Sequence, residues 1–195
     1  MCVLSTWGVN KMEYKENVKK MIDENTDDIQ KLINRKVEIW SDYVVFSGLW
    51  WIGVALTIIP WLIWIKFRKK ESSDRILYAG FFVMIISLCL DVIGDQFGFW
   101  HYRFNVIPVL PTYFPWDLTL MPITVMFTLQ IKPNINPFIK AILFGLFSAY
   151  IAEPFFHWMG IYVLNGWKYS YSVPIQIIIY LTAHYLSRRN CFFKF

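Results

Sequence analysis

With 195 residues, 56% hydrophobic and 19% aromatic, the chain carries more apolar surface than a water-soluble domain of this length ordinarily buries. Its formal net charge of +5 does not form a nucleic-acid face, because Lys66, Arg68, Lys69, Lys70 and Arg75 sit directly behind an apolar run, as the flank of a membrane span. Cys2, Cys89 and Cys191 are far apart and show no CxxC spacing, which argues against a disulfide framework or a zinc site.

Residues 1–42 are the polar part of the chain. The first ten are too short and too weakly apolar for the h-region of a secretory signal, so the first apolar run is expected to be a retained span. Residues 11–42 hold seven basic and eight acidic side chains, while Val18, Met21, Ile22, Ile29, Leu32, Ile33, Val37 and Trp40 recur at helical spacing. The pattern predicts an N-terminal amphipathic helical arm that can meet a protein partner through 11–42. A solvated flexible tail is the alternative. The "NTDD" at 25–28 is expected to interrupt the arm and cap a second helix.

Residues 43–190 read as the transmembrane domain and 191–195 as a short cytosolic tail. Residues 44–65 hold no charge over 22 positions, 76–90 none over 15, and 141–152 none over 12. Runs of this kind enter the bilayer as helices, because a helix satisfies its own backbone polar groups in lipid. Five spans are expected, at 44–65, 76–99, 117–131, 137–158 and 173–187. Pro60 is placed to kink the first, and Pro122 lies within the first two turns of the third. The fold class is therefore all-α, an integral membrane helical bundle of about five transmembrane helices with an N-terminal arm. The basic residues orient it. Five lie in 66–75, two more are Lys132 and Lys140, and three lie in 188–194, all on one side. The loops 100–116 and 159–172 hold only Arg103 and Lys168. The positive-inside rule puts the C-terminus in the cytosol and these loops outside a plasma membrane, although Lys31, Arg35 and Lys36 of the arm then also lie outside.

The acidic residues of the membrane domain collect at the outer end. Asp91 and Asp95 are four apart and share a helix face, as do Glu153 and His157, and Asp117 opens the third span. Ionisable groups inside a membrane usually face a cavity or a partner. Asp91 and Glu153, deepest in their apolar runs, are the candidate general acids; the alternative is a structural network that bonds Trp, Tyr and His across helices. Asp117 has the plainer reading of a helix N-cap, and Asp95 that of a solvated side chain. Trp100, His101, Tyr102, Arg103, Trp116, Trp167 and Tyr169 complete a candidate pocket for an apolar or cationic ligand, against the alternative of an ordinary aromatic belt. Arg103 could pair with Asp95 or Asp117, or contact an anionic ligand. His101 and His157 lie near the carboxylates, but their spacing matches no metal signature and HEXXH is absent, so no metal or cofactor is assigned. Gln130 and Gln176 are intramembrane amides able to bond between helices.

The succession "DVIGDQFGFWHY", "PTYFPWDLTLMP", "EPFFHW" and "GWKYS" resembles a family of small, uncharacterised multi-spanning membrane proteins of Bacillus- and Clostridium-type bacteria. The resemblance covers about residues 50–189 and leaves the arm outside. It implies topology and bacterial source, and carries no activity. Five spans and many tryptophans also look like the tryptophan-rich sensory proteins, whose Pro-rich tryptophan signature in the first loop is not found here. Dispersed carboxylates look like membrane terpene or carotenoid cyclases, in which an acidic residue protonates an alkene or epoxide. "DVIGD" fits the DxxxD of membrane prenyltransferases, which carry two such motifs where this chain shows one. Three functions follow as expectations. The first is a binding or sensing protein whose outer pocket takes a small-molecule or lipid ligand. The second is a membrane enzyme acting on an isoprenoid or other lipid through Asp91 or Glu153. The third is a structural or assembly protein acting through its arm.

Overall fold

The structure is a computed structural model that describes residues 4–189, with side chains from residue 13 onward. Cys2, Cys191 and the tail at 191–195 lie outside the described residues. The chain divides into two compact units, Met1–Tyr43 and Val44–Phe195.

The first unit is one helix, α1 (Leu4–Tyr43). "NTDD" does not break it, contrary to the expectation of a second cap. The Thr26 hydroxyl turns back onto the Ile22 carbonyl at 2.8 Å, and Asp28 pairs with Lys31 at 2.9 Å, so the polar side chains are satisfied within the helix. Exposed pairs of this kind, with Lys19–Glu16 as another, each contribute about 0.2–0.5 kcal/mol.

The second unit begins with α2 (Gly48–Phe67), capped by the Ser47 hydroxyl, which accepts from the Trp50 N–H at 3.3 Å. It continues with α3 (Ser73–Gln96), α4 (Met121–Gln130), α5 (Pro137–Phe147), α6 (Glu153–Trp158) and α7 (Tyr169–Ser187). Three helical stretches, Gly48–Phe67, Lys70–Gln96 and Pro137–Trp158, are long and apolar enough to cross a membrane. The other two expected spans are helical but not among these three. α4 has only 10 residues, and α7 interrupts its apolar run with Ser172, Gln176 and His184. The fold is helical but not purely so. Two short strands, β1 (Trp100–Tyr102) and β2 (Tyr162–Leu164), lie in the stretches expected to be loops and pair antiparallel, Trp100 opposite Leu164 and Tyr102 opposite Tyr162.

Small residues let the helices approach closely. Ala79 and Val83 of α3, Val125 of α4, Ala141 of α5 and Ala183 of α7 are fully buried in one apolar core with Tyr180. Two prolines alter the helical register. A π-helical turn spans Pro115–Leu120 just ahead of Pro122, and another spans Ser148–Ala152 just ahead of Pro154. Proline has no N–H to return to the carbonyl four residues back, and a local widening of the helix accommodates the loss. The carbonyl freed by Pro122 is that of Leu118, and it accepts the Trp61 indole N–H of α2 at 3.1 Å. At the other end of the unit, the buried Gln130 amide links two chain segments. It donates to the Phe67 carbonyl at 3.2 Å and accepts from the Lys69 N–H at 3.2 Å.

Gly94 leaves the space that Trp100 fills. A Cβ at position 94 would stand 1.9 Å from the Trp100 ring, whereas a Cβ at Gly48 would meet nothing within 4 Å. Gly94→Ala is therefore expected to destabilise the protein by about 1–3 kcal/mol through overpacking, and Gly48→Ala by under about 0.5 kcal/mol. Denaturant unfolding in detergent measures both, and equal effects would contradict the account.

Candidate functional site

Antiparallel packing brings the end of α3, the π turn before α4, the start of α6 and the start of α7 to one place. There a half-open cavity of about 150 Å³ is lined by three carboxyl side chains, Asp91, Asp117 and Glu153. Its walls are aromatic, and no Lys, Arg or His is among its lining residues.

Asp91 is buried and takes three donors. Oδ1 accepts from Trp100 Nε1 at 2.9 Å and from the Tyr102 hydroxyl at 3.0 Å, and Oδ2 accepts from the Tyr113 backbone N–H at 3.3 Å. Strand alternation in β1 turns Trp100 and Tyr102 inward and His101 out to solvent. Tyr102 stacks on Tyr113 with ring centroids 5.2 Å apart.

Asp117 is the most buried of the three carboxyls, at 1% exposure. It accepts hydroxyl hydrogen bonds from Ser87 of α3 and from Thr112. It does not cap a helix, because the π turn starts two residues earlier, at Pro115, and places Asp117 inside the bundle. Asp91 and Asp117 line the same cavity. Carboxyls that share a site are stabilised by a shared proton or by a nearby cation.

Glu153 is the least occupied. Its Oε2 accepts from the Ser172 hydroxyl at 3.0 Å, and Ser172 in turn accepts from Trp167 Nε1 at 3.0 Å. Oε1 makes no hydrogen bond among the described residues. One turn along α7 from Ser172, Gln176 lines the same cavity and is buried, and its Oε1 has no partner. The cavity thus holds two unengaged acceptors beside two further carboxyls.

Of the residues singled out from the sequence, Asp91, Trp100, Tyr102, Trp116, Asp117, Glu153 and Trp167 line the cavity; Asp95, His101, Arg103, His157 and Tyr169 do not. His157 shares a face with Glu153 in an ideal helix, but it sits in the last turn, where its Nδ1 meets the Tyr162 carbonyl at 3.1 Å and the ring is exposed. Arg103 is exposed beyond β1 and does not pair with Asp117, whose oxygens are taken by hydroxyls. Tyr169 packs instead against the cluster of Tyr113, Phe156, Ile161 and Tyr162. Ser87, Thr112 and Ser172 were not singled out, and no spacing distinguishes them from other small polar residues of apolar helices. Among the described residues, no group of three His, Cys, Asp or Glu side chains is placed to hold a metal ion.

No family model matches the chain, and neither a curated protein nor a solved structure matches it.

Two expectations follow. In Asp91→Asn, the new NH₂ or a lost acceptor must face donors that cannot reverse, the Trp100 indole and the Tyr113 backbone N–H, at a cost of about 1–3 kcal/mol. In Asp117→Asn, the partners are hydroxyls that can rotate to accept, so the loss is smaller; unfolding midpoints in detergent compare the two, and the reverse ranking would contradict the assignment. The second concerns the tyrosines. Burial first, then the Asp91 and Asp117 charges, holds the Tyr102 phenol well above its usual range. Burial, then Glu153 and Asp91, does the same for Tyr162. Below about pH 10 neither group makes stability depend on pH; above it the unfolded state releases protons that the folded state keeps, and stability falls. An absorbance titration should show a subset of tyrosines ionising only as the protein unfolds, and complete ionisation near pH 10 with the fold intact would contradict this.

Proposed function

We propose that the chain is a multi-pass protein of a bacterial plasma membrane that binds a small organic cation, a protonated amine, in the carboxyl cavity. On this reading it is a five-span bundle with its C-terminus in the cytosol and the cavity at the outer end, and its source is that of the Bacillus- and Clostridium-type family it resembles. The membrane setting is supported by α2. Nearly every residue of that helix is apolar, yet only Gly53 and Trp64 are buried, and Ile58, Ile59, Leu62 and Ile63 are exposed. A contiguous apolar surface of that kind calls for lipid or another apolar partner.

The observation that carries the ligand class is the pairing of unengaged acceptors with aromatic walls in a cavity whose lining has no cation. Glu153 Oε1 and Gln176 Oε1 need donors, and the faces of Trp100, Trp116, Trp167 and Tyr102 offer cation–π attraction, worth about 2 kcal/mol or more once desolvated. About 150 Å³ is small against the roughly 300–1,000 Å³ of pockets for drug-sized ligands. The ligand, or the part of it that enters, is therefore a headgroup-sized unit.

A second reading rests on a neighbouring cavity of about 340 Å³, which shares Trp116, Met121 and Phe156 with the first and is otherwise mostly apolar. An isoprenoid or other lipid lying there would bring its reactive end beside Glu153, the general acid of a membrane enzyme.

Titration of detergent-solubilised protein with methylammonium or ethylammonium chloride, against sodium chloride at equal ionic strength, tests the proposal. A saturable rise in unfolding temperature is expected, reaching about 2.7 kcal/mol at a hundred times Kd. Glu153→Gln should abolish the response and leave the unliganded stability within about 1 kcal/mol, since Gln retains an acceptor for Ser172. No saturable difference between organic cation and sodium would contradict the proposal. Turnover of a prenyl substrate that Glu153→Gln abolishes would favour the enzyme instead.

A further inference from the structure

The end of the bundle opposite the carboxyls holds a cavity of different chemistry. It measures about 610 Å³ and is lined by Lys69, Arg75, Lys140, His184 and Arg188, together with Gln130. These residues come from separate stretches of chain: the connection after α2, the start of α3, the start of α5, the end of α7 and the end of α4. No Asp or Glu is among the lining residues. Among the described residues, none of the four Lys and Arg side chains is ion-paired.

A basic flank alone does not explain this arrangement. Flanking lysines and arginines usually splay into solvent, where their mutual repulsion is screened. Lys140, in contrast, is buried at 8% exposure, and its Nζ donates to the Thr128 carbonyl at 2.7 Å and the Ile131 carbonyl at 2.5 Å. Arg188 is held by an Nη2 bond to the Pro133 carbonyl at 2.8 Å. An ammonium has three N–H donors and a guanidinium five, so both residues keep donors beyond those the backbone takes. The side chains of Lys69 and Arg75 make no hydrogen bond among the described residues. Four positive charges around one concavity, two of them held in place, repel each other unless an anion sits among them, and a phosphate group accepts charge-assisted bonds from several at once.

We propose that this cavity binds a phosphate-bearing anion. The headgroup of an anionic phospholipid is one source of that chemistry, since basic pockets between helices at the cytosolic face suit such headgroups; soluble phosphate is the other. The site is separate from the carboxyl cavity and does not depend on what that cavity binds.

The test titrates the full-length protein, purified in a nonionic detergent, with short-chain phosphatidylglycerol, with phosphatidylcholine of the same chain length, and with inorganic phosphate against chloride at equal ionic strength. Unfolding temperature and native mass spectrometry read the binding. Saturable stabilisation by phosphatidylglycerol and not by phosphatidylcholine or inorganic phosphate supports the site and assigns it to a lipid headgroup. Saturable stabilisation by inorganic phosphate supports it and assigns it to free phosphate chemistry. In either case the double variant Lys69→Gln, Arg75→Gln should weaken binding at least tenfold, and both side chains are exposed, so the variant keeps its fold. No saturable binding of either anion, or affinity unchanged in the double variant, would overturn the proposal.

Discussion

The need to satisfy one buried carboxyl, that of Asp91, organises one end of the second unit. A carboxyl removed from water without partners costs several kcal/mol. Asp91 recovers this through an indole, a phenol and a backbone N–H supplied by residues 100, 102 and 113. Those three donors fix the path of the chain between α3 and α4. They draw β1 against the end of α3, and β1 then pairs with β2, which brings the second aromatic stretch into the same cluster. Gly94 is part of the same device, because only its missing side chain lets the Trp100 ring lie close enough for its N–H to reach Asp91.

The two other carboxyls owe their positions to backbone irregularities. Asp117 lies within the π turn ahead of Pro122, and Glu153 directly follows the π turn ahead of Pro154. A widened turn rotates the residues after it relative to an ideal helix. Asp117 therefore points at Ser87 and Thr112 rather than capping a helix. π turns of this kind occur often at functional sites, because they aim side chains that a regular helix would aim elsewhere.

Helix direction was legible in the sequence, and with it the gathering of Asp91, Asp117 and Glu153 at one end, because antiparallel helices joined by short connections leave few alternatives. The fine geometry was not. Glu153 and His157 do share the regular helix α6, but His157 lies in its last turn, where the ring meets the Tyr162 carbonyl and solvent instead of the cavity. Treating 100–116 as a loop hid the strand alternation that sends His101 outward and Trp100 and Tyr102 inward. The "NTDD" stretch misled for the opposite reason: its cap-forming residues bond inside α1 when the helix continues on both sides. The basic residues served only to orient the chain, since nothing in their spacing indicates that Lys69, Arg75, Lys140 and Arg188 meet around one cavity.

The two ends of the second unit thus carry opposite chemistry, acceptors within aromatic walls at one and cations around a concavity at the other. A density map of the protein purified from its native source, at a resolution that shows bound water, tests the central claim most directly. The account predicts non-protein density between Glu153, Gln176 and the indole of Trp167, within hydrogen-bonding distance of both side-chain oxygens. A carboxyl end that is dry and closed, with Gln176 bonded to its neighbours and no space beside Glu153, would contradict it.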